Sequence, residues 1–208
     1  MRKKLIGSLL CLVLLLALVG GAQGAAKYRI YLITMDQMDQ HWVNVDAGAR
    51  KAVKELGNVN YRWLAPDVKD DAKQIECINN AIAGGADAIL LAANGPTAVT
   101  SALREATAAG VKIIYVDSPA DYPGEQTLAT DNEAAGYKAG QELKKALVSK
   151  GITSGKLGIV NVNAATASVV QRENGFRAAF EGTSFTILET QYSEGDAARS
   201  KDIAANYI

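Results

Sequence analysis

The chain has 208 residues, 22 basic and 22 acidic side chains, one histidine, two cysteines and 49% apolar residues. That balance supplies a sizeable core and leaves no basic block for nucleic acid or for anionic lipid. A single histidine and two cysteines also exclude the usual metal-ligand clusters.

Residues 1–24 read as a signal peptide. Arg2, Lys3 and Lys4 form the positive n-region, Leu5 to Val19 the apolar h-region, and Ala22-Gln23-Gly24 the small-residue cleavage site. A retained transmembrane anchor needs about 20 apolar residues, whereas this run is shorter and ends at Gly20-Gly21. Cys11 lies inside the apolar run, away from the usual place of a lipidation signal. Cleavage removes three basic residues and no acidic one, so 19 positive charges face 22 negative and the net charge becomes −3. A soluble periplasmic protein without disulfides is expected, since Cys77 is then the remaining cysteine. Cys77 reads as a small buried hydrophobe on a helix with Ala72, Ile75, Ile78 and Ile82, the rival reading being a reactive thiol.

The first predicted strand is Tyr28 to Thr34, β-branched and apolar like a buried parallel strand. A polar-aromatic turn, Asp36 to Trp42, leads into a helix with Trp42, Val45, Ala49, Ala52, Val53 and Leu56 on one stripe. Asn60 to Leu64 is a second strand, and a helix follows from about Asp70 to Gly84-Gly85. The third strand is Ala86 to Ala92, ending in Asn94-Gly95-Pro96, with Pro96 suited to a first helical position. Val99, Leu103 and Ala106 mark the next helix, and Val111 to Val116 the fourth strand, capped by Asp117-Ser118-Pro119. The pattern predicts a doubly wound parallel sheet.

A second lobe is predicted after Leu128. Gln126 to Thr130 is a short strand, and Asp131-Asn132-Glu133 starts a helix with Gly136, Ala139, Gly140, Leu143 and Leu147 inside. Lys156 to Val162 is a strand. The next helix carries Val169, Arg172, Phe176 and Phe180, with Ser168 and Gln171 at capping-box spacing. Phe185 to Tyr192 is another strand, and Asp196 opens a last helix. The expected fold class is α/β with two doubly wound parallel-sheet lobes, 25–127 and 128–208. The second has three strands against the first lobe's four, so a chain truncated at its C-terminus, binding ligand poorly by itself, is expected.

In open α/β sheets ligands bind outside the carboxyl ends of the strands, which is where the polar clusters fall. Asp39 reads equally as the N-cap of the first helix, Trp42 as a core residue, His41 as a solvent-facing or capping residue, and Asn94 and Asp36 as turn residues. Asp117, a carboxylate at a buried strand end, needs partners. Trp63 lies within a strand and reads as core. There is no nucleophile elbow and no glycine-rich phosphate fingerprint, so neither an enzyme nor a cofactor is expected.

The strand with its polar-aromatic turn, Val116-Asp117-Ser118, Ala129-Thr130-Asp131-Asn132 and Arg172-Glu173-Asn174-Gly175-Phe176 occur in an order that resembles the periplasmic sugar-binding proteins of the ribose- and galactose-binding type. The resemblance covers Lys27 to Ile208. It implies a type I periplasmic-binding-protein fold, two lobes closing on a sugar or polyol, and delivery to the permease of an ABC importer. A sensory input protein for a chemoreceptor or histidine kinase is the alternative; a secreted α/β enzyme is a third reading that would require turnover of ligand, and a repressor core shares the fold but is disfavoured by the signal peptide and the lack of a DNA-binding helical domain. By position, Asp39 offers hydrogen bonds, Trp42 stacks on the sugar ring, His41 takes a second aromatic's place, and Asp117 accepts from sugar hydroxyls. Ser118, Asn94 and Arg172 complete the expected ligand set. Ribose binders have arginine where Ser118 and Val170 stand, and a small polar residue at Met35, so a sugar other than ribose is expected.

Overall fold

The computed structural model describes residues 28–207, and the expected signal peptide lies outside them. Strand β1 (Tyr28–Ile33) is followed by α1 (Gln40–Leu56), β2 (Val59–Leu64), α2 (Asp71–Ala83), β3 (Ala88–Leu91), α3 (Thr100–Ala108), β4 (Lys112–Val116) and β5 (Gln126–Leu128). The five strands form one parallel sheet in the order β2-β1-β3-β4-β5. Parallel strands need long crossovers; α1, α2 and α3 supply them as far as β4, whereas residues 117–125 carry the chain from β4 to β5 without a helix.

Alternate residues of the central strands point to opposite faces. Tyr31, Ile33, Ile89, Leu91, Ile113 and Tyr115 pack on Ile78 and Ala81 of α2 and on Ala102, Leu103 and Ala106 of α3. Cys77 lies half-buried against this core, and burial pushes its thiol up. On the other face Met35, Trp42 and Ala92 form a smaller cluster with Val45, Trp63 and Val116 around it. The apolar stripe of α1 runs past the sheet: Trp42 is buried, whereas Leu56 is 64% exposed and Ala52 is also exposed. Helix α3 begins four residues after Pro96, because residues 96–99 form a turn first.

Gln74 organises the strand ends. Its side chain is fully buried, and its Nε2 donates to the carbonyls of Thr34 (3.1 Å) and Ala92 (2.8 Å). Its Oε1 accepts the Asn94 N–H at 2.9 Å. One amide thus holds the chain where β1 and β3 finish.

Beyond β5 come α4 (Asn132–Ser149), β6 (Ser154–Leu157), β7 (Val160–Asn161), α5 (Ala167–Ala178), β8 (Ser184–Ile187), β9 (Gln191–Tyr192) and α6 (Ala197–Asn206). Helices α4 and α5 approach so closely at Gly136 and Gly175 that a methyl on either would overlap the other helix's backbone, at Arg172 O and Glu133 O respectively. Gly136 and Gly140 face inward as expected, but Ala139 and Leu143 are exposed.

The two long strands expected here are each broken in two. Leu157 pairs with Ile187 and Val160 with Gln191, so three residues on one strand oppose two on the other. The extra residue makes a bulge. It is stapled by Arg177, which donates to Leu188 O (3.2 Å) and Thr190 Oγ1 (2.7 Å), and by Glu173, which accepts from Thr190 Oγ1 and from Asn161 Nδ2 (2.9 Å). Tyr207 closes over it, donating to Glu189 O at 2.7 Å.

Candidate functional site

Past β1 the chain continues buried through Thr34, Met35 and Asp36. Asp36 Oδ1 accepts the N–H groups of Met38 (2.8 Å) and Asp39 (2.7 Å), which folds the turn, and Oδ2 pairs with Lys69 Nζ at 2.7 Å. Burial alone would raise the Asp36 carboxyl, but the Lys69 contact and the two N–H donors outweigh it and leave it below the ordinary 3.8. A lowered carboxyl contributes stability above its unfolded value and loses it as pH falls through the folded one. Between about pH 5 and pH 3 the urea midpoint of the parent should therefore fall more steeply than that of Asp36→Asn, which starts lower at neutral pH. Equal slopes would contradict this account.

Asp39 caps α1, its Oδ1 accepting the His41 N–H at 2.9 Å, while Oδ2 stands 3.8 Å from Lys69 Nζ. Cap and cleft roles are compatible, since a carboxylate has two oxygens. The His41 ring meets Trp42 edge to face at 4.5 Å, and its Nε2 lies 3.3 Å from Asp117 Oδ2. Trp42 is both core and cleft: it is 3% exposed, packs in the cluster with Met35 and Ala92, and still contributes to the cleft wall. Its indole N–H has no partner among the described residues.

Asp117 has φ 66°, and the next N–H, of Ser118, donates back to Val116 O at 2.8 Å. This is a γ-turn of the rare positive-φ kind, a conformation costing on the order of 1–3 kcal/mol that tends to occur at functional sites. It ends β4 abruptly and leaves the carboxylate at the cleft.

The cleft has a volume of about 330 Å³. Met35, Asp39, His41, Trp42, Lys69 and Asp117 line it from the five-stranded sheet, and Thr130, Val162, Thr166, Ser168, Val169, Arg172 and Gly195 from the other side. Arg172 donates to the buried Asn132 Oδ1 at 2.5 Å. Of the residues expected from sequence, Asp39, His41, Trp42, Asp117 and Arg172 come together on this cleft. Asn94 and Ser118 do not line it. Asn94 is held by Asp71 Oδ1 (2.6 Å), Gln74 and Thr166, and Ser118 is fully buried behind Asp117.

Sequence reasoning missed Lys69. Flanked by Asp67, Asp70 and Asp71 it reads as part of a solvated charge run, whereas its side chain is 17% exposed and enters the cleft. The expected capping box on α5 is also replaced. Thr166 is the N-cap but makes no side-chain cap bond; its hydroxyl donates to Asn94 O at 2.8 Å, and the Ser168 hydroxyl meets Ser118. Asn163 Oδ1 accepts the Ala165 and Thr166 N–H groups instead.

No helix among the described residues is long and apolar enough to cross a membrane. The chain is 26% identical to the ribose import binding protein of Escherichia coli, with 100% of this chain and 68% of that protein covered. It is 26% identical to the Haemophilus influenzae protein of the same name, covering 93% and 65%. A carbohydrate transporter solute binding protein from Agrobacterium radiobacter, solved in complex with D-arabinose, superposes with TM-score 0.82 at 30% identity, over 88% of this chain and 63% of that one. The chain therefore spans about two thirds of the length of these relatives. Residues 30–208 match the family described as the periplasmic binding protein domain. Fold and family match agree, and the chain belongs to the periplasmic binding proteins, among relatives described as ribose import binding proteins and a carbohydrate transporter solute binding protein.

Proposed function

We propose that this protein captures a monosaccharide or a similar small polyol between two α/β lobes, residues 25–127 and 128–208, and delivers it in the periplasm to the permease of an ABC importer, without chemical turnover. The observation that carries this reading is the cleft itself, walled from both sides and bearing the carboxylates of Asp39 and Asp117. Carboxylates accept hydrogen bonds from adjacent hydroxyls, and about 330 Å³ lies at the small end of ligand sites, suited to one sugar ring. The D-arabinose of the Agrobacterium radiobacter relative is a ligand of this class.

A thermal-shift screen of D-arabinose, D-ribose, D-allose and D-tagatose tests it. A true ligand at a hundred times its Kd stabilises by about 2.7 kcal/mol. Asp117→Gly is the informative variant, because glycine accepts the positive φ without strain. It should change the ligand-free melting temperature little, relief of the strained φ offsetting loss of the Ser118 and His41 contacts, while abolishing most of the ligand-induced rise. A full rise in Asp117→Gly would remove Asp117 from the site, and no rise in the parent with any of the four sugars would count against the sugar reading.

A further inference from the structure

We propose that Ser118 and Ser168 form a hydroxyl relay that fixes the Asp117 carboxylate only when α5 is docked against the five-stranded sheet, so that closure and orientation of the ligand's acceptor are one event. The proposal rests on the sugar-binding reading for its ligand, and on geometry alone for the relay.

Ser118 Oγ lies 2.7 Å from Asp117 Oδ1 and 2.7 Å from Ser168 Oγ. An ionised carboxylate can only accept, and a hydroxyl has one proton. Ser118 therefore donates to Asp117, and Ser168 donates to Ser118. The chain of bonds runs in one direction, from the first turn of α5, through the residue after β4, to the carboxylate at the cleft. Such a chain polarises each bond in turn.

Burial makes the relay conditional on docking. Ser118 is fully buried and Ser168 is 6% exposed, so without Ser118 the Ser168 hydroxyl loses its acceptor, and without Ser168 the Ser118 oxygen loses its donor while keeping its own bond to Asp117. Withdrawal of α5 would return both hydroxyls to water, which then competes for the bond between Ser118 and Asp117 and loosens the Asp117 side chain, whose other oxygen has His41 Nε2 at 3.3 Å. A parallel contact ties the same turn of α5 to the sheet, Thr166 Oγ1 donating to Asn94 O at 2.8 Å. In this arrangement Ser118 is a positioning residue. It stands behind the carboxylate and does not line the cleft.

The test uses the full chain in a Cys11→Ala, Cys77→Ala background, which removes both native cysteines, with spin labels on Lys54→Cys of α1 and Lys145→Cys of α4, both exposed positions. Pulsed-EPR distances without ligand are compared for the parent, Ser118→Ala, Ser168→Ala, the double variant and Ser168→Thr. The relay predicts a longer mean distance in both single variants, no further lengthening in the double, and parent behaviour in Ser168→Thr, which keeps the hydroxyl. Identical distributions in all five, or additive lengthening in the double, would overturn it. Calorimetry with D-arabinose should show each single variant losing about tenfold in affinity and the double no more than either. Additive affinity losses would likewise overturn the coupling. Failure of D-arabinose to bind the parent would count against that sugar as ligand, and the distance measurement would still decide the relay.

Discussion

Gly175→Ala is expected to destabilise the protein by about 3 kcal/mol, the upper range for overpacking, although alanine in an unobstructed helix gains up to about 1 kcal/mol over glycine. Both effects act at this position, and geometry decides between them. The added methyl would land on the Glu133 carbonyl and close to the Tyr137 N–H of α4, which are backbone atoms and cannot rotate aside. Gly136→Ala meets the same obstacle from the other helix, at the Arg172 carbonyl. Gly48 of α1 supplies the control, since nothing lies within 4 Å of a methyl there. Urea denaturation should therefore show opposite signs: a lower midpoint for Gly175→Ala and Gly136→Ala, a higher one for Gly48→Ala. A loss at Gly48 as large as at Gly175 would mean that the close helix crossing does not set stability. Because α5 carries Thr166, Ser168 and Arg172 close to the cleft, spreading α4 from α5 should weaken ligand binding as well.

Gln74→Leu should cost about 3–9 kcal/mol, from three backbone groups each losing a buried partner at about 1–3 kcal/mol. Leucine fills similar space, so little of this comes from a cavity. The unsatisfied groups are the carbonyls of Thr34 and Ala92 and the Asn94 N–H. Thr34 and Ala92 are fully buried, so water does not replace the amide in the native state. Urea denaturation measures the total, and hydrogen exchange at the Asn94 amide should rise well above that of neighbouring strand amides. A change below 1 kcal/mol (roughly the surface-substitution range) would show that the strand ends are held by other means.

Much of the layout was legible because it rests on local periodicity. Apolar runs such as Tyr28 to Ile33 and the alternating helices between them gave the parallel sheet, and the polar residues at strand ends marked Asp39, His41, Trp42 and Asp117. What escaped was pairwise. Lys69 acquires its place from Asp36, which lies far from it in sequence, and nothing in its own neighbourhood signals that partner. The bulge between β8 and β9 is a property of register between two strands, so each strand read singly looks continuous. Ser168 and Gln171 have the spacing of a capping box, yet tertiary contacts claim the Ser168 and Thr166 hydroxyls first. The exposed Leu56 and Leu143 show the converse limit: periodicity predicts which face is apolar and says nothing of how far the neighbouring layer extends.

The γ-turn at Asp117 also limits what this position can become. At φ 66° the backbone admits glycine freely and aspartate or asparagine with modest strain, while β-branched or bulky side chains are outliers. The vocabulary at the end of β4 is thus short: glycine, aspartate, asparagine and, less readily, histidine. A lineage that changed its solute could switch this site among those residues in place, but installing a lysine, an arginine or a large aromatic there would first require rebuilding the turn. Adaptation to new ligands should therefore run through His41, Lys69 and Arg172, whose backbones lie outside the left-handed region.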